Sequence, residues 1–143
     1  MASIHREIVI RAGIDRVWDA LRDVGALHTR LVKGFVTDCR LESGPEGDAR
    51  IVTFANGMVA REQIVGVDDD TRRVVWSAAG GRLSHHNASA QVVDAGGDCS
   101  RVLWVCDLLP DAMAPSIASM IEHGLQAMKA TLEQAQPAPA LRG

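Results

Sequence analysis

The chain has 143 residues, of which 47% are hydrophobic and 23% charged, with a net charge of −3. That is enough for one domain with its own core, and too apolar for a disordered chain. Charges of both signs are interspersed and aromatics are few (three Trp, two Phe, no Tyr), which excludes a basic stripe along a phosphate backbone or a base-stacking platform, and so nucleic acid as a partner.

In chain order, residues 3–11 read as a first strand that ends before Gly13. Ile14, Val17, Trp18, Leu21 and Val24 then recur at spacings of three and four, the apolar stripe of a short helix. Asp15 lies in its first turn, where the helix dipole favours negative charge, and Gly25 stands where a left-handed C-cap is expected. A second short helix is predicted over 26–31. Strands follow at 34–42, 49–55, 58–67, 72–78, 83–93 and 100–109. They are separated by the turn cluster 43–48, the Asn56-Gly57 hairpin, Asp68-Asp69-Asp70, the flexible joint Ala79-Gly80-Gly81, and Ala95-Gly96-Gly97-Asp98. After Pro110-Asp111 the period returns to helix. Met113, Ile117, Met120, Ile121, Gly124, Leu125, Met128 and Leu132 share one face over about 20 residues, with Pro115 in the first turn. Residues 136–143 are Pro/Ala-rich and read as a flexible tail behind a domain of 1–135.

This order predicts an α+β fold: a curved seven-stranded antiparallel sheet wrapped around a long C-terminal helix, with two short helices after the first strand. The only long amphipathic helix must cover the concave face, and a curved sheet gripping one helix leaves a pocket. Cys39, Cys99 and Cys106 are odd in number and lack CxxC spacing, so they read as reduced thiols. The N-terminus lacks the apolar segment of a secretory signal, and no apolar run nears about 18 residues. A cytoplasmic location, no membrane span and no cofactor are the expectations.

Asp15-Arg16-Val17-Trp18, Arg61-Glu62-Gln63-Ile64 with Val67-Asp68-Asp69-Asp70, Gly80-Gly81-Arg82-Leu83 and Leu109-Pro110, in this order, resemble the START-related superfamily. This superfamily comprises polyketide cyclases/dehydrases, lipid-transfer proteins, pollen allergens and abscisic acid receptors, and has the helix-grip fold. The resemblance covers residues 3–135. It implies a pocket between sheet and C-terminal helix and a mobile Gly-rich loop, here residues 79–83, at its mouth. In the hormone-receptor branch an inward Lys after the short helices pairs through water with an inward Glu on the fourth strand. Lys33 and Glu62 stand at the matching places. That branch has Tyr where this chain has His86, and its Pro-bearing gating loop is replaced here by Asn56-Gly57, so hormone reception is not expected.

Alternation along the strands assigns faces. Ser84, His86, Ala88, Ala90 and Val92 form the more apolar side of the sixth strand, which places His86 and Ala88 inward and His85 outward. Adjacent His residues on a strand point apart, so His85-His86 is no metal pair and no metal site is expected. Met58, Ala60, Glu62 and Ile64 share a face, so Glu62 sits among apolar neighbours and needs a partner. Lys33 is a candidate, one of only two lysines. Trp76 and Trp104 are either core or cavity lining. So are Met113, Ile117 and Met120, whose methionines suit an adaptable wall. Gly124 in mid-helix implies close approach to the sheet or room for a ligand.

The expected ligand-binding set is therefore Lys33, Glu62, Trp76, His86, Ala88, Trp104, Met113, Ile117, Met120 and Gly124, and its expected ligand is a small apolar molecule that is lipid-, polyketide- or hormone-like. A polyketide cyclase/dehydratase with His86, Glu62 or Lys33 moving protons is the alternative. A partner-binding, stress-type regulator, or a homodimer through an outer patch at Leu103 and Val105, is the third reading.

Overall fold

The computed structural model describes residues 1–134. Alternating apolar residues give β1 (Ala2–Ile10), whose inward Ile4 and Ile10 are buried. Helix α1 (Ile14–Leu21) buries Val17, Trp18 and Leu21, and a π-helical turn follows at Leu27–Leu31. Six strands come next: β2 (Val36–Gly44), β3 (Gly47–Phe54), β4 (Val59–Asp68), β5 (Arg73–Ser77), β6 (His85–Gly96) and β7 (Cys99–Leu109). A 3-10 turn, Asp111–Met113, leads into α2 (Ala114–Gln134), with Pro115 in its first turn. Strands β2 to β7 form an antiparallel meander. The first strand joins its far side, so the order is β1-β7-β6-β5-β4-β3-β2. Bulges at Val36/Asp38, Ile64/Gly66 and Asp94/Gly96 add bend to the sheet. Helix α2 packs against β1 and the π turn, and its Ile121, Leu125, Met128 and Leu132 close the core. The predicted helix-grip architecture is the observed one.

Local details differ from the sequence reading, each for a physical reason. Helix α1 stops at Leu21, before Val24, and is capped by Arg22. Beyond it the Val24 carbonyl accepts from the Arg50 side chain. Gly25 is not a left-handed cap. It lies under Leu41, whose Cγ is 2.9 Å from where a Cβ would stand. The second short helix is a π turn closed by Val32 N–H donating to the Leu27 carbonyl (2.8 Å). The hairpin at Asn56-Gly57 is not a two-residue loop, because Gly57 alone has positive φ there (+90°). Gly57 N–H donates to Phe54 O, and Phe54 N–H to Met58 O, the pattern of a three-residue loop. The two-residue turn with positive φ at both central residues falls instead at Gly97 (58°) and Asp98 (61°). The segment expected as a flexible joint is a tight turn closed by reciprocal backbone hydrogen bonds between Gly80 and Leu83. The tail expected at 136–143 lies outside the described residues. Among the described residues no helix is long and apolar enough to cross a membrane.

Two polar latches hold the helices to the sheet. Asp69, in the β4–β5 turn, accepts from Arg22 Nε and Trp18 Nε1, both at 2.9 Å. Near the C-terminal end of α2, where the dipole disfavours negative charge, Glu133 accepts from Lys129 Nζ (2.6 Å) and from the Arg11 backbone N–H (2.8 Å). These bonds, Lys129 first, bring its pKa down from 4.5 to about 2. A depressed carboxylate stabilises the fold fully above its ordinary pKa, and that contribution is lost as pH falls through the folded value. Glu133→Gln should therefore lower the urea midpoint at pH 7, with the gap to wild type narrowing as pH falls from about 5 to about 2. A gap independent of pH would contradict the latch.

Candidate functional site

The β3–β4 hairpin register determines the chemistry of the cavity. Val52 pairs with Ala60, so two residues further from the turn Arg50 stands directly opposite Glu62. Both side chains point to the concave face and are nearly sealed from solvent, at 5% and 12% exposure. Arg50 Nε donates to Glu62 Oε1 at 2.7 Å, and Nη1 reaches the Val24 carbonyl at 3.3 Å. The guanidinium carbon lies 5.1 Å from the centre of the Trp76 ring, within cation–π range. Arg50 Nη2 and Glu62 Oε2 have no hydrogen-bond partner among the described residues.

Around this pair the walls are apolar. Strands β5 and β7 supply Trp76 and Trp104, whose rings meet edge to face at 5.7 Å. Strand β6 adds His86 and Ala90, and α2 contributes Ile117, Met120, Ile121 and Met128. The π turn and the residues after it add Leu27, Leu31, Val32 and Phe35. The chamber measures about 60 Å3, room for roughly four waters at the ~15 Å3 that one requires. A second, outer cup of about 230 Å3 opens between the β3–β4 loop and α2, edged by Asn56, Met58 and His123.

His86 is a buried donor. Its Nδ1 accepts from the Ala78 backbone N–H at 3.0 Å. The proton of the neutral ring is therefore on Nε2, which has no protein partner among the described residues. Burial lowers the His86 pKa from 6.5, and the Glu62 carboxylate only partly offsets this. A depressed imidazole resists protonation in the fold, so this site weakens the protein as pH falls below about 6.5. Two of the three thiols, Cys39 and Cys106, are buried and disfavoured as thiolates. Burial raises Cys106 to about 11 and Cys39 above 9.0. No cluster of three metal-ligating side chains occurs among the described residues.

Of the residues named from sequence, Glu62, Trp76, His86, Trp104, Ile117 and Met120 line the chamber together. Lys33 does not join them. It lies exposed in a turn before Gly34 (φ +84°), its backbone N–H donates to Thr131 Oγ1, and the partner of Glu62 is Arg50. Ala88 is buried opposite Trp76 and Cys106 but does not line the space, and Met113 packs at the core's edge. Gly124 does not line it either. A Cβ there would stand 2.9 Å from Trp104 Cζ3 and 3.3 Å from Phe35 Cε2, so its lack of a side chain seats both rings. Arg50, Phe35 and Phe54 are the residues that sequence reasoning missed. Counting the register back from the β3–β4 turn identifies Arg50.

Residues 1–133 match the family model described as polyketide cyclase / dehydrase and lipid transport. No curated protein sequence matches the chain. Solved structures share the fold at low identity. The di-domain aromatase/cyclase BexL of the BE-7585A biosynthetic pathway aligns with TM-score 0.78 and 12% identity, over 93% of this chain and 47% of that one. A START superfamily protein from Mycobacterium smegmatis aligns with TM-score 0.75 and 13% identity, over 94% and 99%. Truncated norcoclaurine synthase from Thalictrum flavum aligns with TM-score 0.73 and 18% identity, over 95% of each chain.

Removing one member of a buried ion pair strands the other charge. Glu62→Leu or Arg50→Met alone should each cost about 3–5 kcal/mol in urea unfolding, and the double variant less than either. Additive single costs would show that the two side chains do not act as a pair.

Proposed function

The chain belongs to the polyketide cyclase/dehydrase and lipid transport family, and from that premise we propose that it binds a small, mainly apolar and uncharged molecule carrying a carbonyl or hydroxyl group. One observation carries this reading: the apolar chamber contains an ion pair already compensated in charge, Arg50 with Glu62, and both members have an unused polar atom. Arg50 Nη2 and His86 Nε2–H can donate to a carbonyl oxygen, and Glu62 Oε2 can accept from a hydroxyl. A carboxylate ligand would bring an uncompensated charge into the same space, which burial penalises. The Trp76 and Trp104 faces suit an aromatic or unsaturated skeleton.

A second reading, cyclisation or dehydration of a poly-ketone chain, draws support from the aromatase/cyclase neighbour and from the His86 donor beside a carboxylate. Binding is favoured over turnover because Glu62, the only carboxylate lining the chamber among the described residues, already accepts from Arg50. Its availability to remove a proton from carbon is thereby reduced. Turnover of a linear poly-β-ketone that disappears in His86→Phe would favour the enzyme.

Calorimetric titration with 2-naphthol and with 2-naphthoate, alike in shape and different in charge, tests the binding reading. The neutral ligand should bind at least about tenfold tighter at pH 7, roughly 1.4 kcal/mol. Ala90→Trp, which fills the chamber, should abolish the binding without unfolding the protein. Equal or tighter binding of the carboxylate would contradict the proposal.

A further inference from the structure

The chamber is too small for the ligands its chemistry suits. About 60 Å3 accommodates a fragment, whereas small-molecule sites usually start near 300 Å3. The outer cup adds about 230 Å3, so the two spaces together approach that lower limit. Phe35, Phe54 and Met120 line both spaces. They are the wall between them.

The geometry of that wall decides how it can open. The Phe35 and Phe54 rings meet edge to face, with centroids 5.5 Å apart and planes at 76°. Their backbones are pinned together: Val36 pairs with Phe54 across the β2–β3 ladder, and Ala55 N–H donates to the Phe35 carbonyl at 3.0 Å. Separation of the strands is therefore not the easy motion. Both rings are only half-buried and line the cup as well as the chamber, and Met120, which lines both with them, is flexible and also half-buried. Rotation about the side-chain bonds can merge the two spaces without breaking a backbone hydrogen bond. Gly124 is the seat of this wall, since a Cβ there would touch Phe35 as well as Trp104.

We propose that Phe35, Phe54 and Met120 form an internal gate, and that chamber and cup are two halves of one ligand tunnel. The oxygenated end of the ligand lies against Arg50, Glu62 and His86, and its apolar remainder passes the gate into the cup. The gate rests on the binding reading for the identity of its ligand, but not for its existence. It sets size selectivity. A ligand that fits the chamber alone is indifferent to the gate once inside, whereas a longer one binds only the open form. The apparent affinity of the longer ligand is reduced by the fraction of molecules that are open.

Two measurements on Phe35→Ala and Phe54→Ala test this, with Phe54→Leu as the milder variant should either alanine protein fail to fold. The first needs no ligand. Acrylamide, a small neutral quencher, should reach Trp76 and Trp104 several-fold faster in the variants than in wild type. The second compares phenol with 4-phenylphenol by stopped-flow fluorescence and calorimetry. If the open form is populated at or below about 10%, the variants should bind the longer phenol about tenfold tighter or more, with phenol changed less than about twofold. Unchanged quenching together with an unchanged ratio of the two affinities would overturn the gate. Faster quenching with no binding of either phenol would uphold the gate and overturn the ligand reading instead.

Discussion

An arginine and a glutamate face each other across two neighbouring strands, on the inner side of a sheet whose other inward residues are almost all apolar. The Arg50–Glu62 pair is the constraint on which the rest of the site depends. Neither charge is tolerable alone at that depth. Together they are held by a 2.7 Å bond, a backbone carbonyl and the face of Trp76. Burial at this cost is weak evidence for stability. Its consequence is a fixed arrangement of polar atoms in an apolar space.

The fold positions that pair through simple rules. A three-residue loop with Gly57 at positive φ sets the β3–β4 register, and the register puts residue 50 opposite residue 62. A slip of one strand by one residue would leave the two charges on opposite faces of the sheet. The bulge at Ile64/Gly66 bends β4 just beyond Glu62, so the strand curves over the cavity that α2 then closes. Gly124 allows α2 to approach until Trp104 and Phe35 touch it. Chamber, cup and the wall between them follow from these local choices.

The fold was legible in the sequence because its signals are periodic. Strand alternation, turn residues and one long 3.6-period face leave few ways to fold 134 residues. The end of α1 was not, because Val24 continues the helical spacing after the backbone has left the helix to meet Arg50. Within the site, Glu62 and His86 were legible from alternation, since they sit in regular strand. Trp76 and Trp104 stood out only as large side chains in strand interiors, as core or as lining. Lys33 was placed by resemblance in a segment that is a turn, where alternation assigns no face. Arg50 is an arginine among many, and only the cross-strand register distinguishes it. Phe35 and Phe54 meet through tertiary packing, about which their sequence positions say little.

The central claim is that a ligand meets the Arg50–Glu62 pair in the chamber that the two tryptophans line. It is tested most directly by 15N–1H NMR of the arginine Nε–H and tryptophan indole signals while 2-naphthol is added to saturation. The Arg50, Trp76 and Trp104 signals should shift together along one binding curve, and that of Trp18, held by Asp69 outside the cavity, should stay in place. A shift confined to Trp18, or saturation without movement of Arg50, would place the ligand elsewhere and contradict the account.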